Sequence, residues 1–245
     1  MKTLAIMQPT LMPWLGYFAL MDSVDTFVYL DDVQYVKRSW QSRNRVKTPQ
    51  GELMLSLPVN KITTTNRIRD VKISDTHNHK KFMKTLEGNL GKAPCFSLCE
   101  SIVENAYIES EDFLARFNIG IIDRVASACG IQTQRIIASS LEVEAQEKTE
   151  RLLAFCNHLN AENYLSPVGS FNYLEQNNPF ANSSVNLSFQ SYKHPEYVQG
   201  SGAFLPYMGC LDALSWVGPD KLLEVVQSGN DAPLTIEQLA LANAA

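Results

Sequence analysis

The residues best suited to chemistry lie in one polar stretch, residues 31–47. Two carboxylates come first, Asp31 and Asp32, and cations then follow with no acid among them. The cations are Lys37, Arg38, Arg43, Arg45 and Lys47. Arginine presents a fixed fork of donors that matches carboxylate or phosphate oxygens. The stretch therefore predicts a loop that binds a small anion, although a solvated surface loop with one packed Trp would have the same composition.

Aromatic rings and side-chain amides are interleaved with these cations. Gln34, Gln41 and Asn44 each offer donors and an acceptor, which suit the hydroxyl groups of a sugar or the edge of a base. The predicted stacking residues are Tyr17, Trp40 and Tyr197. Together with the cations, they predict a phosphate-bearing small molecule, such as a nucleotide sugar, as the partner. No metal site and no cofactor is predicted.

Three side chains are candidates for a general base: Asp31, Asp32 and His194. Histidine needs the least tuning near pH 7. The two acids have an alternative role, which is to pair with the neighbouring arginines. His194 precedes Pro195 and could equally be a turn histidine.

Buried strands must position these residues. Apolar runs at residues 3–7 and 26–30, with an apolar helix at 14–21 between them, predict a strand–helix–strand unit. Its short buried strands favour a parallel pair, and ligands of parallel sheets bind beyond the carboxyl ends of the strands. The predicted substrate-binding residues that follow strands or lie near the His194 segment are Gln8, Ser166 and Gln199. We expect one cleft to be lined by Gln8, Asp32, Lys37, Arg38, Arg43 and His194.

The rest of the chain continues the pattern. Residues 134–139, 163–166 and 185–190 predict further strands with helices between them. The predicted fold class is α/β, with a mostly parallel, Rossmann-like sheet flanked by helices in a single domain over residues 1–245. Two insertions are predicted: a β-hairpin at about 48–75, which pairs 52–59 with 70–74 around a tip at 61–66, and a helical segment at about 77–130.

Composition excludes several classes of protein. The chain has 245 residues and a net charge of −5, whereas a dedicated nucleic-acid binder carries a strong basic excess. Its five cysteines are odd in number and scattered, which indicates free thiols of a reducing cytoplasm. No apolar stretch approaches the roughly 20 residues of a membrane span. We therefore expect a cytoplasmic protein that binds no nucleic acid.

Short motifs narrow the choice further. There is no Walker loop and no G-x-G-x-x-G sequence, so a glycine cradle for a nucleotide is not indicated. His77 and His79 lie two residues apart and are interpreted as the polar start of a helix, because two histidines alone make a weak metal site.

Three groups of residues share the pattern of a known family. The first is Gln8-Pro9 with residues 13–18, the second is residues 30–45 without Val36, and the third is residues 194–199 with Phe204 and Leu211-Asp212. Residues 148–153 and 164–166 match more loosely. Over nearly the whole chain these groups resemble the WbqC-like family of bacterial proteins. The chain departs from the family pattern at Met7, Leu11, Pro167 and Gly209.

The resemblance implies a role in gene clusters for O-antigen, the surface polysaccharide of lipopolysaccharide, and glycine transfer onto an amino sugar has been suggested for the family. The predicted function is a transferase in surface-glycan biosynthesis, which moves an acyl, aminoacyl or glycyl group to a nucleotide-linked amino sugar. Two alternatives stay open. One is a non-catalytic binding module for a nucleotide sugar or for glycan enzymes. The other is a nucleotidyl-transferring or adenylating enzyme, although the His pair of such enzymes is missing. A homodimer is also left open.

Overall fold

The computed structural model describes residues 1–63, 66–74 and 76–244. The strands in this part of the chain are β1 (Thr3–Met7), β2 (Thr26–Tyr29), β3 (Arg43–Thr48), β4 (Gly51–Ser56), β5 (Gln134–Ile137), β6 (Asn163–Ser166), β7 (Asn186–Tyr192) and β8 (Asn230–Leu234). One sheet has the order β5-β2-β1-β6-β7-β8, and β3 pairs with β4 in a separate hairpin. The central strand β1 therefore lies between β2 and β6.

The large sheet is mostly parallel, as predicted. Strand β1 pairs in parallel with β2 and β6, β2 with β5, and β6 with β7. Within the described part of this sheet, β8 is the strand that runs antiparallel to its neighbour, β7. The sequence prediction missed β8 because its residues are polar and include Pro233. The strand predicted at residues 134–139 ends at Ile137, where a 3-10 turn begins.

Helices cover both faces of the sheet. They are α1 (Leu15–Asp22), α2 (Thr76–Leu90), α3 (Phe96–Glu109), α4 (Leu114–Ala128), α5 (Lys148–His158), α6 (Phe171–Gln176), α7 (Cys210–Val217), α8 (Pro219–Ser228) and α9 (Ile236–Ala244). None of the helices among the described residues has the length and apolarity to cross a membrane. All five cysteines are free, as predicted.

Alternating residues of the central strands bury two separate apolar cores. Ala5 and Phe27 belong to a large cluster that includes residues of α1, α3, α4 and α7. Leu4 and Val28 belong to a second cluster, with residues of α5 and α6. Because successive side chains of a strand point to opposite faces, the two clusters lie on opposite sides of the sheet. The predicted α/β class is thus confirmed.

The hairpin differs from the predicted one. Strand β4 pairs with β3, with Arg43 opposite Ser56 and Thr48 opposite Gly51. The predicted pairing of residues 52–59 with 70–74 is wrong, since among the described residues it is reduced to a bridge between Val59 and Ile73. The cations from Arg43 onward are therefore strand residues. Their charge suggested a loop, but alternation in β3 buries Val46, and Lys47 is buried as well.

A glycine fixes the entry to α1. The Trp14 ring folds over Gly16, so that a Cβ atom on this residue would overlap the ring. We expect Gly16→Ala to lower the free energy of unfolding by about 1–3 kcal/mol, the usual effect of overpacking. Gly88→Ala is the matched control, because Gly88 lies in α2 with open space around its α carbon and should gain up to about 1 kcal/mol. Urea denaturation measures the free energy of unfolding of both variants. Equal effects would contradict the claim that the Trp14 ring excludes a side chain at position 16.

Candidate functional site

The loop between β1 and α1 is held by two other segments of the chain. The side-chain amide of Asn44 donates to the carbonyl oxygens of Leu11 and Met12, each at 2.8 Å. The backbone N–H of Leu11 donates to the carbonyl of Trp40 at 2.8 Å, and that of Cys210 donates to the carbonyl of Pro13 at 2.9 Å. Residues from 40 to 44 and the start of α7 thus fix the loop that follows the central strand.

More buried amides support the same loop. The Gln41 Nε2 donates to Gln8 Oε1 at 2.8 Å. The Asn118 Nδ2 of α4 donates to the carbonyls of Pro9 and Gln41, at 3.0 and 2.8 Å. The predicted substrate-binding residues Gln8, Gln41 and Asn44 therefore make contacts within the protein that shape the site. Whether they also touch a ligand stays a prediction.

A cavity of about 500 Å³ opens where these segments meet, and we call it the aromatic cavity. Its lining residues are Met7, Thr10, Pro13, Trp14, Tyr17, Trp40, Asn44, Arg45 and Tyr207. Met7 is the last residue of β1, and the connections of the sheet run to opposite sides of β1, so the cavity lies at the crevice where such folds bind ligands. The structure thus brings together the predicted residues Tyr17, Trp40, Asn44 and Arg45.

Arg45 supplies the charge of the aromatic cavity. Its guanidinium carbon lies 5.3 Å from the centroid of the Trp40 ring, within the range of cation–π attraction. One terminal nitrogen is 3.5 Å from Glu52, which is half-exposed. The Nε atom is buried and has no hydrogen-bond partner among the described residues. A ligand acceptor could satisfy this donor.

His194 packs behind the wall of the aromatic cavity. Its ring stacks on Trp14 with centroids 6.0 Å apart and meets Tyr207 edge-on at 5.1 Å. The Nδ1 atom lies 3.0 Å from the carbonyl oxygen of Pro195, which can only accept, so Nδ1 carries the proton. The lone pair is then on Nε2, which is buried and unpartnered among the residues described. The prediction of a turn histidine and that of a base are both compatible with this geometry.

Burial lowers the pKa of His194 from its ordinary value of 6.5, and the hydrogen bond to Pro195 opposes this shift. We expect the imidazole to be neutral at pH 7. Because the folded state then binds fewer protons than the unfolded state, the contribution of His194 to stability should fall as the pH drops from 6.5 through the folded pKa. NMR titration, with His194→Gln to assign the signal, measures the midpoint; a value above 6.5 would contradict the burial argument.

A second cavity, of about 460 Å³, collects cations, and we call it the basic cavity. Its charged lining residues are Lys37, Arg38, Arg43 and Lys61. In the described ranges no carboxylate lies within 4.0 Å of these four. The Nε of Arg43 is buried without a partner in the same ranges. Lys61, which lies at the tip of the predicted hairpin, lines this cavity.

The stretch 35–45 lines both cavities. Tyr35, Arg38 and Arg43 face the basic cavity, whereas Trp40 and Arg45 face the aromatic cavity. Arg38 has a left-handed backbone with φ of 56°, a conformation that non-glycine residues rarely adopt and that clusters at functional sites. Gln34, predicted to bind substrate, forms a β-bridge with Arg67 just before this stretch.

The two acids of the opening motif have structural partners. Asp31 accepts from the backbone N–H and the hydroxyl of Ser139, at 3.0 and 2.7 Å. The two carboxylate oxygens of Asp32 accept hydrogen bonds from the two terminal nitrogens of Arg151, at 2.9 and 2.5 Å. The alternative that these acids pair with neighbouring arginines is therefore wrong, since the arginine partner comes from α5. Their contacts join the segment after β2 to the 3-10 turn after β5 and to α5. A role of either acid as a base stays a prediction.

The remaining predicted residues lie outside the lining of both cavities. Ser166 is fully buried, and its hydroxyl donates to the carbonyl of Pro167 at 3.3 Å. The hydroxyl of Tyr197 donates to Asp212 Oδ1 at 2.8 Å, and Gln199 exchanges two hydrogen bonds with the backbone of Leu205. The sequence analysis predicts no role for Asp212. A single acid in an otherwise uncharged, mostly apolar helix is the sequence signal that points to it.

Comparison with known proteins gives consistent results. The model of the WbqC-like protein family matches residues 8–224. A relative from Mycobacterium tuberculosis (strain ATCC 25618 / H37Rv), which carries the name Uncharacterized protein Rv1507c, is 34% identical over 224 residues, or 90% of this chain and 96% of the relative. No solved structure matches the chain. The family match includes the loop after β1, the stretch 35–45 and α7, so the chain belongs to the WbqC-like protein family.

Proposed function

We propose that the protein is a transferase that binds a nucleotide-linked sugar and acts in the synthesis of a bacterial surface glycan. The observation that carries the proposal is the pair of cavities on the two sides of residues 35–45. One cavity offers aromatic rings and an arginine. The other has four cations and no acid among the described residues that line it. A ligand with a flat or ring-shaped part and a diphosphate would use both kinds of surface.

The two parts of such a ligand would be recognised differently. A sugar or base would lie against the rings of Trp14, Trp40 and Tyr207, with the Arg45 Nε as a donor. The diphosphate would bind the fork of Arg43, supported by Lys37 and Arg38. Charge-assisted contacts of this type are about twice as strong as neutral hydrogen bonds.

The chemistry we propose is transfer of an acyl or aminoacyl group to the amine of the sugar. The amine nitrogen attacks the acyl carbon, the bond to the donor's leaving group breaks, and the amine loses a proton. Nε2 of His194 is the base in this proposal, because burial keeps the imidazole neutral and Nδ1 is already held by Pro195. Trp14 and Tyr207 stand against the imidazole, so one of these rings must move for the amine to reach it.

A non-catalytic binding module is the second candidate. The observation that favours it is that Asp31 and Asp32 are engaged with Ser139 and Arg151, and that His194 lies behind the cavity wall rather than on it. In this case the same two cavities would bind a nucleotide sugar and present it to another enzyme of glycan synthesis.

A two-stage experiment tests the proposal. A thermal-shift screen against nucleoside diphosphate sugars first identifies a ligand. The protein is then incubated with the corresponding amino-sugar nucleotide and a set of acyl and aminoacyl donors, and mass spectrometry detects the product. A transferase forms product, and His194→Gln retains binding but loses product. Binding with no product from any donor would favour the binding module, and release of pyrophosphate from ATP would favour an adenylating enzyme.

A further inference from the structure

A third cavity, smaller than the other two, lies between the end of the β3–β4 hairpin, the end of α2 and the start of the segment after His194. Its volume is about 160 Å³, the space of about five water molecules in the liquid. The polar and aromatic residues that carry the argument are Lys47, Lys92, Gln199, Ser201, Asp212 and Trp216. None of these six lines the aromatic or the basic cavity.

Asp212 is the unusual residue of this cavity. It is 1% exposed and lies in α7, whose other residues are uncharged. Its Oδ1 accepts from the Tyr197 hydroxyl, but Oδ2 is buried and has no hydrogen-bond partner among the described residues. A buried acceptor without a donor is costly, so an unsatisfied carboxylate oxygen at a cavity indicates a missing donor.

Lys47 provides the opposite charge. It is 9% exposed, and its Nζ donates to the carbonyl of Ala203 at 2.8 Å. An ammonium group has three donors, and over the described residues no carboxylate lies within 4.0 Å of this one. At least part of its hydrogen-bonding capacity is therefore available to a ligand. The structure also separates Lys47 from the other cations of the stretch 37–47.

We propose that this cavity binds a small zwitterion, whose ammonium group donates to Asp212 Oδ2 and whose carboxylate accepts from Lys47. The volume of about 160 Å³ has room for a ligand of the size of a small amino acid. Trp216 closes one side, because its ring packs against the backbone of Gly200, where a side chain would collide with it. The inference goes beyond the proposed function, since it concerns a second ligand and residues outside both of the other cavities.

Calorimetric titration of the full chain with glycine, L-alanine, L-serine and β-alanine tests the inference. Ethylamine and propionate, which each keep one charge of alanine, serve as controls for the ligand. We expect at least one zwitterion to bind. The affinity for each single-charge analogue should be at least about tenfold lower. Binding of none of the four zwitterions, or equal binding of alanine and its analogues, would overturn the proposal.

Variants assign the binding to the cavity. Asp212→Asn keeps an acceptor for Tyr197 but loses the charge, and it should weaken zwitterion binding by about ten- to a hundredfold. Lys47→Met should weaken zwitterion binding by a similar factor. This second variant tests the site if Asp212→Asn does not fold. Lys221→Met, at an exposed position of α8, is the matched control. Unchanged zwitterion affinity in a folded Asp212→Asn or Lys47→Met variant would contradict binding at this cavity.

Both variants should still bind the nucleotide sugar. This result separates the test of the third cavity from the test of the proposed function.

Discussion

Replacing Arg151 by methionine is expected to lower the free energy of unfolding by about 3–5 kcal/mol. The guanidinium binds Asp32 through two hydrogen bonds, and the two side chains are only 18% and 7% exposed. Arg151 also donates through Nε to the carbonyl of Val143 at 2.8 Å. Removing it leaves a buried carboxylate without its partner, and a buried unpaired charge is among the most destabilising changes in a protein.

A double variant separates the ion pair from packing. Asp32→Asn combined with Arg151→Met removes the unpaired charge. The double variant should therefore recover a substantial part of the free energy of unfolding that Arg151→Met loses. Arg116→Met is the matched control, since its ion pair with Glu111 is exposed and should contribute within about 1 kcal/mol. Guanidinium denaturation of the four proteins measures the effects. An Arg151→Met loss no larger than that of Arg116→Met would show that the Asp32 contact has no structural importance.

The second large effect concerns ligand binding. Arg43→Lys should weaken the affinity for the nucleotide sugar by about ten- to a hundredfold, although the charge is kept. A bidentate, charge-assisted contact contributes roughly 1.5–3 kcal/mol, and a lysine has a point charge in place of the planar fork. In the part of the chain that the structure describes, the Nε of Arg43 is buried and has no hydrogen-bond partner, so this N–H is a donor that the lysine variant lacks.

The control for this experiment must lie outside the basic cavity. Lys61 is unsuitable, because it lines the cavity together with Arg43. Arg69→Lys is a better choice, since Arg69 is exposed and lines a different cavity. Its Nε lies 3.8 Å from Oδ1 of Asp70. Calorimetric titration should show little change for Arg69→Lys. Equal, small effects of the two substitutions would mean that the cations of the basic cavity form a solvated face.

Strands β1 and β2 were predictable from the sequence because they are short and mostly apolar. Burial on both faces of the sheet makes four residues of each predicted run, 3–7 and 26–30, apolar. The predicted strand 163–166 has a weaker signal, since Tyr164 and Leu165 are its two apolar residues. The hairpin was not predictable, because β3 carries Arg43, Arg45 and Lys47, and their charge hid a strand whose apolar residue Val46 is buried. Charged residues are usually exposed to solvent. In β3, however, Arg43 and Arg45 line cavities, and Lys47 donates to the carbonyl of Ala203.

The candidate site was only partly predictable. The sequence pointed to Trp40, Arg43 and Arg45, which the structure places on cavities. It could not give the partner of Asp32, because Arg151 is 119 residues further along the chain. Tyr207, whose ring completes the aromatic cavity, was missed for a similar reason, since it lies far along the chain from Trp14 and Trp40. Contacts of this kind depend on how α5 and the segment before α7 return to the sheet edge, and local patterns carry no information about that.

Amide hydrogen exchange of the parent protein, with and without the nucleotide sugar found by screening, tests whether one ligand occupies both cavities. We expect binding to slow exchange in residues 35–45 and in the neighbouring segments 8–14 and 207–210, since one ligand would contact both cavities that flank the stretch. Slowed exchange confined to other parts of the chain, or no change in residues 35–45 at saturating ligand, would contradict it.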